Sequence, residues 1–416
     1  MSEIYRAAIV GGGFSGLVAA AVLSGICGGE NILLLEKNER VGKKILATGN
    51  GRCNLTNRDL SLRHYHSVAG ASGAVKFEKF GNESMIGFFR DLGILMNEED
   101  GKIYPASLQA GSVLDALRAE LYRRNTVIET GTKVVSVSSA NGVFRLKSER
   151  GETFEAETVL LAVGGKAGPS YGTDGTAYDL AAKFGHGVTP LFPAIVQLKT
   201  ESRFCKGLKG IRQKGLAAAT DGEKKLADLY GDLLFTDYGV SGNTAFYLSS
   251  YLIGAKKPCL EVDFLPGLSE TELAAFLKEK KERYPETKNE ELLCGVVNKQ
   301  IARMLAVNFL SAKDAENPFA PLARVVKKCR IPVIGTTGFD QAQVTRGGIP
   351  FAGVNAETLE SKKKKGLYFS GEVLDADGDC GGYNLQWAYT SARIAAESIA
   401  HAVSGDRGEK RRKGER

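Results

Sequence analysis

The chain has 416 residues, 43% hydrophobic and 25% charged, an ordinary globular balance with length enough for two or three domains. Its net charge of +7 is concentrated in the tail 405–416, six Lys/Arg against three Asp/Glu, and in Lys362–Lys365. Such placement reads as solvated basic segments and predicts no stable nucleic-acid partner.

Seven scattered cysteines, an odd number without a CxxC pair, read as reduced thiols of a cytoplasmic protein. They exclude a structural zinc site and a dithiol relay, and no metal is expected. No apolar run approaches the ~20 residues of a membrane-spanning helix. The start of the chain runs almost directly into a strand, leaving no room for a signal peptide.

That strand is Arg6-Ala-Ala-Ile-Val10, followed at once by Gly11-Gly-Gly-Phe14-Ser15-Gly16, a helix over Leu17–Leu23, and a second strand over Asn31–Leu35 ending at Glu36. Strand, GxGxxG, helix, strand and acid fall at dinucleotide-binding spacing. Gly11 permits the tight turn, Gly13 lets the backbone approach a pyrophosphate, and Gly16 lets the helix pack on the strand. The helix N-terminus favours phosphate. Glu36 can take both ribose hydroxyls, and its charge would repel a 2′-phosphate. This unit alone does not separate FAD from NAD.

Further on come Lys37 to Lys44, Ala47-Thr-Gly-Asn50-Gly51-Arg52-Cys53-Asn54-Leu55-Thr-Asn57, Thr345-Arg-Gly-Gly348, Gly366 to Asp377 and Gly381-Gly382-Tyr-Asn384-Leu385-Gln-Trp-Ala388. Over nearly the whole chain these segments resemble a bacterial flavoprotein family known as aminoacetone oxidase-like or 3-dehydro-bile-acid reductase-like. More distantly they are similar to the FAD subunits of fumarate reductases. The resemblance implies an α/β protein with a discontinuous FAD-binding Rossmann-like domain of the two-dinucleotide-binding type, carrying an inserted β-barrel and helical module.

Residue chemistry suits that expectation. The loop Asn50–Leu55 offers flexible backbone, a cation and amides to a flavin. Lys37, Lys43 and Lys44 lie in the preceding segment. Gly371-Glu372 ends an apolar strand (367–370), where an acid can hold a ribityl hydroxyl, and Asp377 belongs to the acidic run after it. Gly382, Asn384 and Leu385 open a helix over 385–400 whose N-terminus would face the flavin N1/C2 edge. The strand Leu160–Val163, with Ala162, ends at Gly164-Gly165 and resembles the segment that returns to the flavin domain. In folds of this kind Val134 and its neighbours would lie near the adenine.

After Pro190 the character changes. Short strands are expected over 195–200, 214–220, 233–236 and 259–264. A capping box Ser269-Glu-Thr-Glu272 opens a helix over 270–283, and a second helical run covers 289–309. The domains are therefore expected as 1–190, an inserted module 191–335 (barrel about 191–266, helices about 268–315), 336–405, and a disordered basic tail 406–416. The module would cover a substrate cleft.

No second GxGxxG occurs, so NADH or NADPH would dock transiently as co-substrate, or an organic substrate would reduce the flavin directly. The resemblance implies an NAD(P)H-driven reduction of an activated C=C bond in an enone of the 3-oxo steroid or bile-acid type. An amine or aminoketone oxidase using oxygen and a flavin-containing RNA-associated protein are the alternatives. Catalytic candidates are His64 in the polar stretch His64-Tyr65-His66, Cys380, and Asp237. The last stands where the family usually has His, in Leu234–Gly242, just as Asn243 replaces its usual Pro.

Overall fold

The computed structural model describes residues 4–70, 76–314 and 317–414, except the side chains of Ala312 and of residues past 404. The chain divides into two compact units, one of residues up to 192 and from 344 on, the other of Pro193–Gln343. The insertion thus ends eight residues later than expected, because residues 337 and 343 still hydrogen-bond to the start of the second unit, at Gln197 and Ile195.

In the first unit, β1 (Ile4–Val10), α1 (Phe14–Cys27) and β2 (Ile32–Leu35) build the unit read from spacing. All of β2 and the last four residues of β1 are buried, as a parallel strand covered on both faces requires. Next come β3 (Thr56–Asn57), β4 (Tyr65–His66), α2 (Asn82–Asp91), β5 (Met96–Glu99), β6 (Lys102–Pro105) and α3 (Ala110–Arg123). They lead to β7 (Val127–Glu129), β8 (Val134–Ala140), β9 (Val143–Ser148), β10 (Thr153–Leu161) and α4 (Tyr178–Ala182), and β11 (Phe192–Ala194) carries the chain into the second unit.

The second unit contains β12 (Leu198–Thr200), β13 (Arg212–Asp221), β14 (Lys224–Phe235), β15 (Gly239–Ser241), α5 (Asn243–Tyr251), β16 (Pro258–Asp263), α6 (Glu270–Arg283), α7 (Lys299–Phe309), α8 (Phe319–Lys327) and β17 (Cys329–Thr336). Its strands close a barrel in the order β12-β15-β14-β13-β16-β17. Ser269 caps α6, accepting from the Glu272 N–H while the Glu272 carboxylate accepts from the Ser269 N–H. The barrel's closing strand β17, and α8 before it, escape a sequence reading because each contains a proline. Pro321 sits in the first turn of α8, where the lost N–H costs nothing, and Pro332 lies inside β17.

The chain re-enters the first unit through β18 (Val344–Arg346), β19 (Leu367–Phe369), β20 (Asp377–Gly378) and α9 (Tyr383–Gly414). The segment 406–416, expected as a disordered tail, continues α9 as far as Gly414, and the last two residues lie outside the described ones. In the main sheet β7, β2, β1 and β10 run parallel, with β9 and β8 antiparallel beyond. β10 serves two partners on one side. Thr153–Ala156 pair with β9 and Val159–Leu161 with β19, so the returning chain slots beside the carboxyl end of β10. α1 is apolar around most of its surface because the sheet, α3 and α9 all pack on it. Among the described residues no helix is long and apolar enough to cross a membrane.

Candidate cofactor site

Four parallel strands, β1, β2, β10 and β19, end together, and the residues just past them are Gly11, Glu36, Ala162 and Ser370. Ligands of open α/β sheets bind at this carboxyl edge. The sheet thereby gathers segments separated by more than three hundred residues.

The three fingerprint glycines have different surroundings. A Cβ on Gly11, whose φ is 107°, would lie 2.4 Å from the Ala162 carbonyl oxygen, and one on Gly16 would lie 1.9 Å from that of Gly11. These two are required by packing. A Cβ on Gly13 would meet no atom within 4 Å, so the space above the α1 N-terminus is open on that side. Glu36 Oε2 accepts from the Gly12 N–H at 2.8 Å and Oε1 from the Asn38 N–H and side-chain amide at 2.7 Å. The carboxylate is thus oriented at the end of β2, beside Gly131 and Thr132, whose N–H groups bond to Asn38 and Glu36 carbonyls. Val134 opens β8 two residues further on.

Phe14 stacks on Phe89 at 5.9 Å and Ser15 donates to Ser370 at 2.7 Å, so both tie the first turn of α1 to the fold. Lys37 pairs with Asp174 near the surface and Lys43 is exposed. Lys44 reaches across the edge to Glu372 at 2.9 Å and to the Ala167 carbonyl at 3.1 Å. Glu372 Oε1 also accepts from the Thr345 N–H at 2.8 Å, while the Thr345 hydroxyl accepts from the Lys166 and Ala167 N–H groups. A Cβ on Gly165 would collide with that hydroxyl at 2.5 Å, and Gly164 has φ 73°. Thr345 was not singled out from the sequence, although its segment carries the family resemblance.

The loop at 49–53 stores strain. Gly49, Asn50, Gly51 and the buried Cys53 all have positive φ (56°, 56°, 82° and 59°), a region that Cys rarely adopts. Its curl presents Asn54 to the start of α9. Asn54 Oδ1 is buried, and among the described residues no group hydrogen-bonds to it. A Cβ on Gly382 would lie 2.8 Å from that oxygen. Leu55 is buried and its N–H bonds to the Ile103 carbonyl.

Several expected ligands are engaged elsewhere. Arg52 grips both carboxylate oxygens of Glu99 at 2.6 Å and lies over the Tyr104 ring, so its charge is already paired. Asp377 is fully buried and doubly bonded by Arg346, at 2.9 and 3.1 Å from Nε and 2.9 Å from Nη2. The pairing ties β20 to β18. The Asn384 amide bonds to both backbone groups of Gly378 and to the Asp379 carbonyl, which pins the loop entering α9. Gly371 (φ 76°), Gly382 and Leu385 contribute backbone at this edge.

The catalytic candidates separate. Asp237 lies in the second unit, 60% exposed and paired with Lys209 at 3.0 Å, whose ammonium keeps the carboxyl below its ordinary range. It is ionised and has no proton to give, so it is a poor acid. Burial pushes the Cys53 thiol up to about 11 and raises that of Cys380, so neither is a ready thiolate. All seven cysteines are free. His64 meets Asp379 and Asp59. His66, of the same polar stretch, and Asp379, of the acidic run after Glu372, join it.

This donor set fits FAD. The open face of Gly13 at a helix N-terminus suits a pyrophosphate, Glu36 a ribose diol, and the orphaned Asn54 oxygen beside the α9 N-terminus suits an N–H of the flavin ring. Residues 5–398 match the HI0933-like protein Rossmann domain. A 3-dehydro-bile acid delta(4,6)-reductase of Clostridium scindens is 37% identical over 95% of this chain and 99% of its own. A ribosomal RNA dihydrouridine synthase of Haemophilus influenzae is 27% identical over 96% of this chain and all of its own. The 3-ketosteroid-delta4-(5alpha)-dehydrogenase of Rhodococcus jostii RHA1, solved with 4-androstene-3,17-dione, shares the fold at 13% identity, with a TM-score of 0.50 over 96% of this chain and 98% of that one. The chain belongs to the HI0933-like Rossmann family and is an FAD-dependent oxidoreductase.

Proposed function

We propose that the protein saturates a C=C bond conjugated to a carbonyl, with NADH or NADPH as the source of electrons. The observation that carries this reading is the strand-end edge holding Gly13, Glu36, Lys44, Glu372 and the α9 N-terminus in one place, in a chain 37% identical to a bile-acid Δ4,6-reductase. FAD held at that edge supplies hydride chemistry, and a helix N-terminus facing its pyrimidine edge favours the charge that reduction places there. The names of the two relatives describe one kind of reaction. In one the double bonds are conjugated to a 3-oxo group, in the other the bond belongs to a uracil ring. A 3-oxo-Δ4 steroid or bile-acid enone is the small-molecule substrate of this reading.

The test is anaerobic. NADH or NADPH should bleach the yellow holoprotein within minutes, and 4-androstene-3,17-dione should restore the colour. Neither event, or bleaching that no enone reverses, overturns the reading. Hydrogen peroxide released on adding aminoacetone would put an oxidase in its place.

A second reading, action on RNA, is favoured by the dihydrouridine-synthase relative that aligns with 96% of the chain. Salt-sensitive ribosomal RNA binding that survives deletion of residues 405–416 would support it.

A further inference from the structure

Two histidines converge on one buried carboxylate. His66 Nε2 lies 2.8 Å from Asp379 Oδ1 and His64 Nδ1 lies 3.0 Å from Asp379 Oδ2. The Asp379 side chain is 1% exposed and each imidazole 17%. Backbone pairing sets this geometry. β4 and β20 run antiparallel with Asp377 opposite His66 and Gly378 opposite Tyr65, and the Asp379 N–H donates to the His64 carbonyl at 2.9 Å. The His64 ring lies flat on Tyr383, the first residue of α9, with centroids 4.4 Å apart and planes 18° apart. The pair therefore stands at the mouth of the helix that meets Asn54.

His64 is equipped for both protonation states. Its Nε2 is 3.2 Å from Arg63 Nε, a donor, and 3.2 Å from Asp59 Oδ2, an acceptor. With Nδ1–H given to Asp379, the neutral ring accepts from Arg63 and the protonated ring donates to Asp59. Neither state strands a polar group, so a proton can arrive and leave at low cost. The Ser61 N–H, then its hydroxyl, hold the Asp59 carboxyl well below its ordinary range, which keeps it an acceptor. The charged groups facing the two rings are Asp59, Arg63, Asp377 and Asp379, with the Cys380 thiol and the Tyr65 phenol near Asp379, Lys102 near that thiol, and the Tyr383 ring against His64 and Tyr65. Among the described residues no group of His, Cys, Asp or Glu is arranged to hold a metal ion.

We propose that His64 and His66, joined through Asp379, are the proton store of this enzyme and deliver the proton that completes saturation of the substrate. This rests on the reductase reading above. Hydride adds to the carbon β to the carbonyl, the C=C electron pair moves toward the carbonyl, and an imidazole N–H proton closes the new C–H bond at the α carbon. NAD(P)H is oxidised to NAD(P)+ as the alkene is reduced. The imidazole regains a proton from solvent on the Asp59 side.

The experiment uses the FAD holoprotein in stopped flow. His66→Gln keeps an Nε2-like group, His64→Asn an Nδ1-like one, and neither can hold a proton. Each should lower the rate of flavin reoxidation by 4-androstene-3,17-dione, relative to flavin reduction by NAD(P)H, on the order of 100-fold. Each should also flatten the pH dependence of that step. An unchanged ratio and unchanged pH profile in both variants would overturn the proposal. Should either variant lose flavin, Asp379→Asn, which keeps both rings, carries the same test. In the apoprotein, NMR of the histidine ring N–H protons should show His64 Nδ1–H and His66 Nε2–H both slowed in exchange with solvent by their shared partner, and Asp379→Asn should release both. Fast exchange of both in the unmodified chain overturns the shared store whatever the substrate. Slow exchange without enone turnover instead sinks only the reductase reading.

Discussion

Lys44 Nζ and Glu372 Oε2 are 2.9 Å apart, a partly buried ion pair joining the segment after β2 to the turn after β19. The two residues are 328 positions apart in sequence. The pair ties the N-terminal part of the edge to the chain that returns beside β10.

Glu372→Gln keeps the acceptor for the Thr345 N–H but removes the charge opposite Lys44. It should cost about 1 kcal/mol in unfolding free energy and weaken FAD binding about tenfold. A double-mutant cycle with Lys44→Met should give a coupling of about 0.5 kcal/mol or more. Zero coupling would mean that the pair is adjacent without being energetically linked.

Two glycines three positions apart should respond in opposite ways. Gly16→Ala drives a Cβ into the Gly11 carbonyl and should destabilise the protein by roughly 3 kcal/mol, read by denaturant unfolding. Gly13→Val fills open space over the helix N-terminus, so the protein should fold and be colourless. A yellow Gly13→Val protein would move the pyrophosphate elsewhere.

Arg346→Met leaves Asp377 buried without its guanidinium and should cost about 3–5 kcal/mol at neutral pH. The pH dependence has a definite sign. Burial holds the Asp377 carboxyl above its ordinary value although Arg346 opposes this, and removing Arg346 raises it further. A carboxyl raised in the folded state contributes stability below its unfolded value, ~3.9, and loses it as pH climbs through the folded value. The deficit of Arg346→Met should therefore be largest at about pH 8 and shrink toward about pH 4. A deficit independent of pH would show that lost packing, not charge, dominates.

Thiol chemistry offers a direct check on the loop at 49–53. Cys53 is fully buried with its thiol pushed up to about 11, whereas Cys294 is half-buried. Brief iodoacetamide treatment of native protein at about pH 8 should label Cys294 and spare Cys53, as mass spectrometry would show. Rapid labelling of Cys53 would mean that the strained 49–53 loop opens readily.

Local spacing carried much of this structure. Gly11, Gly13, Gly16 and Glu36 belong to one strand–turn–helix–strand, whose backbone geometry dictates where each stands, so their surroundings follow from order alone. The capping box at Ser269 and Glu272 and the helix it opens were legible for the same reason, since both groups lie within one helical turn. Family resemblance added the 49–55 and 371–385 segments without revealing which side chains were committed inside the fold. Arg52 and Asp377, expected as cofactor ligands, are paired with Glu99 and Arg346, which no local pattern records. The proline-bearing α8 and β17 were hidden by a residue that usually breaks both element types.

Sequence by itself therefore determined the dinucleotide-binding unit at Gly11–Glu36, because that unit is held by contacts between chain neighbours. Only the tertiary structure decided that Lys44 meets Glu372, that Arg346 meets Asp377, and that His64 and His66 share Asp379. Each of these meetings depends on strand register across hundreds of residues. A one-residue slip of β20 against β4 would turn the histidine-bearing face away, and no local pattern in the chain records that register.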